Sequence, residues 1–235
     1  SPATIYAAST SGIYKSVDGA ATWVKYAGGN FKDLAFKPNS TTILYAAAGG
    51  NFYRSLDAGI TWEQNMNGIA NGTRGAVAVT PANPEIVYFV QTKSDNGFRG
   101  LYMSTDGGTT FTERSDSPNI MDWSCDGSGE GGQAWYDLAI AADPVNPNII
   151  YVGGVDIWKS TDGGVTWNIN GHWYGGCSVP AVHADHHYFA FNPLDNRLYI
   201  GNDGGAYWTG NGGSTWNEIS NGLVISQAYK LAQSR

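Results

Sequence analysis

The sequence predicts an all-β protein built from repeated four-stranded sheets, and three observations support this. An octet of the form Ser-x-Asp-x-Gly-x-Thr-Trp recurs along the 235-residue chain. Each copy lies between two short segments whose apolar and aromatic residues are typical of β-strands. Glycine and tryptophan are frequent, with 32 and 9 copies, as expected where many tight turns join short aromatic strands. No segment of any length has the apolar periodicity of a helix.

The octet has four full copies and one weaker copy. Its third position is Asp18, Asp57, Asp106 and Asp162 in the full copies and Asn211 in the weaker one. An Asp followed by glycines indicates a turn, because the carboxylate accepts backbone N–H bonds and glycine adopts positive φ. Each octet is therefore predicted to form the tip of a β-hairpin. The aromatic residues that end the octets are predicted to be buried between neighbouring sheets; they are Trp23, Trp62, Phe111, Trp167 and Trp216.

Each full repeat is predicted to contain four strands, with the octet between the third and the fourth. Prolines recur between the first and second strands, where they fix φ for a turn and end the strand. The predicted first strands of the second to fifth repeats are 31–38, 76–80, 135–142 and 183–192. The predicted repeats cover residues 1–28, 29–72, 73–132, 133–180 and 181–224. Four-stranded sheets repeated radially form a β-propeller.

The two ends of the chain leave two arrangements open. The first repeat begins with its second strand, at residues 4–8, and residues 225–235 are predicted to form a first strand with no repeat after it. The last strand could complete the first sheet and close a five-bladed ring. Alternatively, the five blades are part of a larger propeller.

Composition and charge exclude some classes of partner. The net charge is −7 and only 14% of residues are charged, whereas a nucleic-acid or anionic-membrane surface needs clustered Lys and Arg. No apolar run is long enough to cross a bilayer, so membrane insertion is not expected. The chain begins at Ser1 rather than Met, which we interpret as a processed or truncated end, so a missing signal peptide does not indicate the cytosol.

The octets resemble the Asp-box (BNR-type) repeat of sialidases, sortilin-type receptors and xyloglucanase-type glycosidases. In those families the repeat is a folding motif and does not carry the activity. The sequence lacks evident candidates for the arginine triad of a sialidase, so that activity is not expected. The resemblance implies a β-propeller of four-stranded blades.

The fourth and fifth repeats resemble large secreted bacterial propeller proteins of the sortilin-like or glycosyl-hydrolase-like type. The segments that carry this resemblance are Gly-Gln-Ala-Trp-Tyr-Asp-Leu-Ala-Ile at 132–140, Val-His-Ala-Asp-His-His at 182–187, Gly-Asn-Asp-Gly-Gly at 201–205 and Asn-Gly-Leu at 221–223. The resemblance implies an extracellular or cell-surface location and a longer polypeptide or surface assembly. It favours the larger propeller and supplies no established catalytic residue.

Two cysteines, Cys125 and Cys177, lie in long Gly- and Trp-rich insertions before the inner strands of adjacent repeats. A disulfide that joins the two insertions is the preferred interpretation. The alternative is a pair of unlinked thiols. The spacing typical of a Cys-x-x-Cys or Cys/His zinc site is absent.

A histidine-rich segment is a candidate metal site. His183, Asp185 and His187 occupy alternate positions, so a straight strand would present all three on one face. Imidazole and carboxylate suit Zn²⁺ or another transition ion. A straight strand separates the first and third of these residues by about 13 Å, so three ligands on one ion would require a bend or bulge. The alternative is a polar row that lines a water-filled channel.

A second hypothesis concerns the rim that carries the long insertions. Asp137 and Asp185 would begin neighbouring inner strands there, and paired carboxylates are what a glycosidase needs. Alternatively, Asp137 caps its own turn and Asp185 fixes a histidine tautomer. The predicted ligand-binding residues on this rim are Gln133, Trp135, Tyr136, Asp137, Trp173 and Tyr174.

The sequence therefore predicts a secreted or cell-surface recognition or adhesion propeller that binds glycan or protein on the rim with the long loops. The alternative is a polysaccharide-degrading glycosidase of the Asp-box type. Propellers host both kinds of function, so fold alone does not decide between them. No cofactor is expected apart from the candidate divalent ion.

Overall fold

The computed structural model describes residues 3–223, which form nineteen β-strands in five sheets and no helix. The first sheet contains β1 (Ile5–Ser9), β2 (Gly12–Ser16) and β3 (Val24–Gly28). The second contains β4 (Phe31–Phe36), β5 (Leu44–Ala48), β6 (Asn51–Ser55) and β7 (Glu63–Gln64). The third contains β8 (Gly75–Val79), β9 (Val87–Thr92), β10 (Phe98–Ser104) and β11 (Thr112–Ser115). The fourth contains β12 (Ala139–Ala142), β13 (Ile150–Gly153), β14 (Ile157–Ser160) and β15 (Asn168–Gly171). The fifth contains β16 (His186–Phe191), β17 (Leu198–Asn202), β18 (Gly205–Thr209) and β19 (Asn217–Glu218).

The sheets are antiparallel meanders arranged side by side. Within each sheet, consecutive strands pair in chain order. The first strand of each sheet packs against the first strand of the next, along the series β1, β4, β8, β12 and β16. Strands β4, β8, β12 and β16 line a cavity of about 500 Å³. This radial arrangement of one three-stranded and four four-stranded sheets confirms the predicted all-β propeller architecture.

Two inner strands begin later than the sequence predicts. Strand β12 begins at Ala139 instead of residue 135, because residues 134–136 form a turn in which the Tyr136 amide donates to the Gln133 carbonyl at 2.8 Å. Strand β16 begins at His186 instead of residue 183, because Asp185 has a φ of +67° and turns the chain just before the strand. The predicted strand within 225–235 lies outside the described residues.

The octets fold as hairpin tips with a shared hydrogen-bond pattern. In the second sheet, Asp57 Oδ1 accepts from the Ser55 hydroxyl at 2.9 Å and from the Thr61 amide at 2.9 Å. Its Oδ2 accepts from the Thr61 hydroxyl at 2.6 Å, and this bond lowers the pKa of Asp57 to about 2. The carboxylates at the same position of the other full copies accept equivalent bonds from their Ser and Thr; they are Asp18, Asp106 and Asp162.

The aromatic residues that end the octets pack against the preceding sheet. Trp167 is 7% exposed, and its Nε1 donates to the Ser115 hydroxyl of the third sheet at 2.9 Å. Phe111 is also buried, whereas Trp62 and Trp216 are half-buried. The prediction is wrong for Trp23, which is 40% exposed. It belongs to the first of the five sheets within residues 3–223, and its ring is only partly covered by the described residues.

Candidate functional site

A disulfide joins the two long insertions. Cys125 lies between β11 and β12, Cys177 lies between β15 and β16, and their Cα atoms are 5.4 Å apart. The predicted bond is thus present in the structure. It fixes the two loops to each other on the rim where β12 and β16 begin.

One amide group ties together the two aspartates singled out from the sequence. The Nε2 of Gln133 donates to Asp137 Oδ2 at 3.1 Å and also to Asp185 Oδ1. Gln133 and Asp137 belong to the segment that leads into β12, whereas Asp185 immediately precedes β16. The structure therefore brings Gln133, Asp137 and Asp185 into one cluster, with the amide between the two carboxylates.

Asp137 has no solvent-exposed surface. Burial raises its pKa to about 6, and the neighbouring Asp185 carboxylate adds to the shift. Its Oδ1 has no hydrogen-bond partner among residues 3–223. Arg74, directly before β8, attracts this carboxylate. Its guanidinium also donates to the Ala134 carbonyl at 2.7 Å, which holds the segment leading into β12 in place. Asp137 is therefore an interior anchor of the cluster.

We expect Asp137→Asn to raise the free energy of unfolding by about 2 kcal/mol more at pH 7 than at pH 4. With a folded-state pKa of about 6 and an unfolded value of about 3.9, the folded wild type binds more protons than the unfolded chain in this window. Its stability therefore falls as pH rises from about 4 to about 6, and a neutral Asn does not share this loss. Denaturant titrations of both proteins at the two pH values measure the difference. The same change of unfolding free energy with pH in both proteins would contradict the burial argument. The control is Asp195→Asn, at an exposed position.

Asp203 is a functional candidate that the sequence analysis missed. It lies in the tight turn between β17 and β18. Tyr136 donates its hydroxyl to both carboxylate oxygens, at 2.8 and 3.1 Å, and His187 Nε2 donates to Oδ1 at 2.7 Å. Burial alone would raise the pKa of Asp203. The hydrogen bonds from His187 and Tyr136 outweigh this effect and hold the pKa below its usual value. The signal was present in the Gly-Asn-Asp-Gly-Gly segment, but an Asp followed by glycines is also an ordinary turn.

Asp185 has the opposite protonation tendency. Burial raises its pKa, and the negative charge of Asp203 raises it further. The residue also has a left-handed backbone conformation, with φ of +67°. Non-glycine residues in that region are uncommon and concentrate at functional sites. The rim thus holds one carboxyl whose pKa is raised beside one whose pKa is lowered, and acid and base chemistry uses two groups whose pKa values are shifted apart in this way.

The predicted metal ligands do not line up on one strand face. The pairing of β16 with β17 shifts register between His186 and Tyr188, so a bulge interrupts the alternation. His183 lies before the strand, where its Nδ1 contacts the Ala184 carbonyl oxygen at 3.2 Å. His187 is bonded to Asp203, as described above. Across residues 3–223, Cys125, His172 and Cys177 form the one group of three potential ligands whose donor atoms lie within 4.8 Å of one another.

Exposed aromatic rings lie on the same rim in two groups. Trp135 is 67% exposed, and its ring centroid lies 5.5 Å from that of Tyr136, which binds Asp203. Trp173 and Tyr174, also exposed, contact each other with centroids 4.6 Å apart and rings nearly perpendicular. Their other ring contact is with His172 beside the disulfide. The first group flanks the carboxylates and the second belongs to the disulfide region.

Comparison with known proteins places the chain near xyloglucan-degrading propeller enzymes. No protein-family model matches the sequence. A xyloglucanase from Hypocrea jecorina is 31% identical over 169 residues, which are 65% of this chain and 18% of that protein. A xyloglucanase named Xgh74A from Acetivibrio thermocellus is 37% identical over 115 residues, 44% of this chain and 13% of that protein. The chain spans less than a fifth of the length of these curated relatives.

Solved structures agree on the architecture. The GH74 xyloglucanase from Xanthomonas campestris superposes with a TM-score of 0.65 at 18% identity, over 97% of this chain and 37% of that one. An ancestral GH74 enzyme gives a TM-score of 0.67 at 19% identity, over 94% of this chain and 30% of that one. At these identities the likeness establishes the β-propeller fold. In both comparisons this chain corresponds to part of a larger propeller protein.

Proposed function

We propose that the protein is a polysaccharide-degrading glycosidase whose acid–base pair is Asp185 and Asp203. The observation that supports this is the opposite direction of their pKa shifts on a rim flanked by exposed aromatic rings. In many enzymes the acid and the base are two titratable groups whose environments shift their pKa values in opposite directions. Glycoside hydrolysis commonly uses such a pair of carboxyl groups.

In this proposal Asp185 is the general acid. Its raised pKa favours the protonated form that would donate to the oxygen of the leaving sugar. Asp203 is the ionised partner, and the Tyr136 hydroxyl and His187 imidazole orient it. It either activates a water molecule or attacks the anomeric carbon, and the anomeric configuration of the first product distinguishes these routes.

Gln133 and Asp137 have a supporting role in the same proposal. The Gln133 amide holds the Asp185 carboxyl by a direct hydrogen bond. Asp137 accepts a hydrogen bond from the same Gln133 amide and is fully buried. A glycosidic oxygen would have to displace the bridging amide to lie between Asp137 and Asp185. We therefore assign the second reacting carboxylate to Asp203 instead of Asp137.

The proposed substrate is a glucan of the xyloglucan type, outside the cell. The curated relatives are named as xyloglucanases, and they support a polysaccharide ligand for this chain. Planar aromatic rings present the large apolar faces on which sugar rings stack. Trp135 and Tyr136 are the rings that flank the carboxylates.

A second candidate is a recognition module that binds polysaccharide without cleaving it. The bridging position of the Gln133 amide favours this candidate, because the amide ties up one oxygen of Asp185. Both candidates require the same aromatic surface. They differ in whether Asp185 transfers a proton.

We expect Trp135→Ala to weaken polysaccharide binding by about 10–30-fold, because truncating an aromatic anchor at a binding surface costs about 2 kcal/mol. Isothermal titration calorimetry with xyloglucan oligosaccharides measures binding, and an assay for reducing ends measures cleavage. Trp23→Ala is the matched control, since Trp23 is also exposed but lies in the octet between β2 and β3, outside the cluster of carboxylates. Binding without any release of reducing ends in the wild type would favour the recognition module. Unchanged binding in Trp135→Ala would contradict this surface for both candidates.

A further inference from the structure

The disulfide region contains a second site that the proposed hydrolytic function does not use. We propose that Cys125, Cys177 and His172 bind one zinc ion when the disulfide between the two cysteines is reduced. Their donor atoms all lie within 4.8 Å of one another. In a tetrahedral zinc site the thiolate sulfurs lie about 3.7 Å apart, since Zn–S is about 2.3 Å. Small movements of the two loops would therefore form the site.

His172 is held in the orientation of a metal ligand. It is 1% exposed, so the fold fixes its ring. Its Nδ1 accepts only long bonds, from the Gly176 amide at 3.3 Å and the Tyr174 amide at 3.5 Å. Hydrogen bonds of this length are weak, so the Nδ1 lone pair remains available to a metal ion. Because Nδ1 accepts, Nε2 carries the proton.

Asp156 provides the second, independent observation. It is 1% exposed, and its Oδ1 accepts from the Trp173 amide at 2.9 Å. Its Oδ2 has no hydrogen-bond partner among the described residues and lies 3.8 Å from His172 Nε2. Leaving a buried carboxylate oxygen unpaired is unfavourable. Zinc-bound histidines usually donate their second N–H to a carboxylate or carbonyl, and the position of Asp156 Oδ2 beside His172 Nε2 suits this role for a metal bound at Nδ1.

The local charge also favours a cation. Asp122 is buried near Asp156 and repels it. The Asp122 carboxylate accepts hydrogen bonds from Ser124 and Gly129 and is therefore fixed in place. Within residues 3–223, neither Asp122 nor Asp156 forms an ion pair with a Lys or Arg side chain. Two buried carboxylates without a Lys or Arg partner favour binding of a divalent cation.

The chemistry balances with a dithiol as reductant. The dithiol transfers two electrons to the disulfide, which yields the Cys125 and Cys177 thiols and the oxidised dithiol. Zn²⁺ then replaces the two thiol protons, which pass to solvent, and His172 supplies a neutral nitrogen. Cys125 is exposed, so water can occupy the fourth coordination position. The two long loops would then remain linked in either redox state, by the disulfide or by the metal.

The test is a cobalt and zinc titration of the protein with and without prior reduction by a dithiol. We expect one equivalent of Co²⁺ to produce a thiolate-to-cobalt charge-transfer band in the reduced protein and none in the oxidised one. Zn²⁺ should displace the cobalt and raise the melting temperature of the reduced protein alone. Equal metal binding by the oxidised and reduced proteins would overturn the proposal, as would the absence of the thiolate band after reduction.

Three variants locate the ligands. His172→Asn keeps an acceptor for the Gly176 and Tyr174 amides but lacks a good zinc ligand, and we expect it to lose at least about tenfold in affinity. Asp156→Asn should lose about 10–100-fold, because it alters the partner that orients His172. His183→Ala is the control and should bind zinc like the wild type. Loss of affinity in His183→Ala with none in His172→Asn would place the ion elsewhere and contradict the site.

Discussion

Asp185→Asn is expected to lower the kcat for xyloglucan hydrolysis by about 10²–10⁴-fold, the usual effect of removing a general acid. The variant keeps a polar side chain beside Gln133 but lacks the proton that the leaving sugar requires. Binding of the intact polysaccharide should change little, because the aromatic surface is untouched. Initial rates of reducing-end release, together with calorimetric binding constants, separate the two effects.

Asp203→Asn is expected to produce a loss of similar size with a different pH signature. Wild-type activity should fall at low pH as Asp203 is protonated, and at high pH as Asp185 loses its proton. Tyr136→Phe removes a hydrogen bond that stabilises ionised Asp203, so it should move the low-pH limb to higher pH. Asp195→Asn, in an exposed turn of the same sheet, should keep the wild-type profile. An unchanged kcat in both Asp185→Asn and Asp203→Asn would contradict the assignment of this pair.

Trp167→Ala is expected to destabilise the protein by about 3–5 kcal/mol, as for other truncations of buried aromatic residues. The ring belongs to the apolar core between the third and fourth sheets and packs edge-on to Phe98, with centroids 6.4 Å apart. Its removal leaves a cavity and also leaves the Ser115 hydroxyl without its indole donor.

Denaturant unfolding of Trp167→Ala and Trp23→Ala at the same pH checks this prediction. Trp23 occupies the same octet position but is 40% exposed, so its truncation should cost about 1 kcal/mol or less. Equal losses in the two variants would contradict the view that packing against the preceding sheet determines the role of the ring.

The fold was predictable because its determinants are local and repeated. The octet fixes a hairpin through contacts among residues two to four positions apart, as between Asp57 and Thr61. Each sheet is a meander of strands that follow one another in sequence. Repetition of one such unit indicates a propeller without any knowledge of long-range contacts. The disulfide was predictable because both cysteines lie in insertions at equivalent positions of adjacent repeats.

The site was only partly predictable, because its geometry depends on the backbone at a few residues. Asp137 and Asp185 do come together, but through the amide of Gln133, a contact that spans 52 residues for Asp185. The left-handed conformation of Asp185 and the following bulge interrupt the alternation that placed the candidate metal trio on one strand face, and these backbone features gave no sequence signal. Asp203 was not singled out because its turn sequence resembles many turns without function.

The buried cluster around His172 was hidden for a related reason. Its residues are separated in sequence, and neither cysteine has the spacing of a zinc motif. The disulfide joins Cys125 to the loop that follows His172. Asp156, at the start of β14, gave no sequence signal, because its burial depends on how both insertions pack over it.

The most direct test of the central claim is a crystal structure of Asp185→Asn with a bound xyloglucan oligosaccharide. We predict that a sugar ring stacks on Trp135 and that the glycosidic oxygen lies within about 3 Å of the side chain at position 185. The Asp203 carboxylate should face the anomeric carbon of the same bond. An oligosaccharide bound elsewhere on the propeller, with residues 135, 185 and 203 in contact only with solvent, would contradict the proposed site.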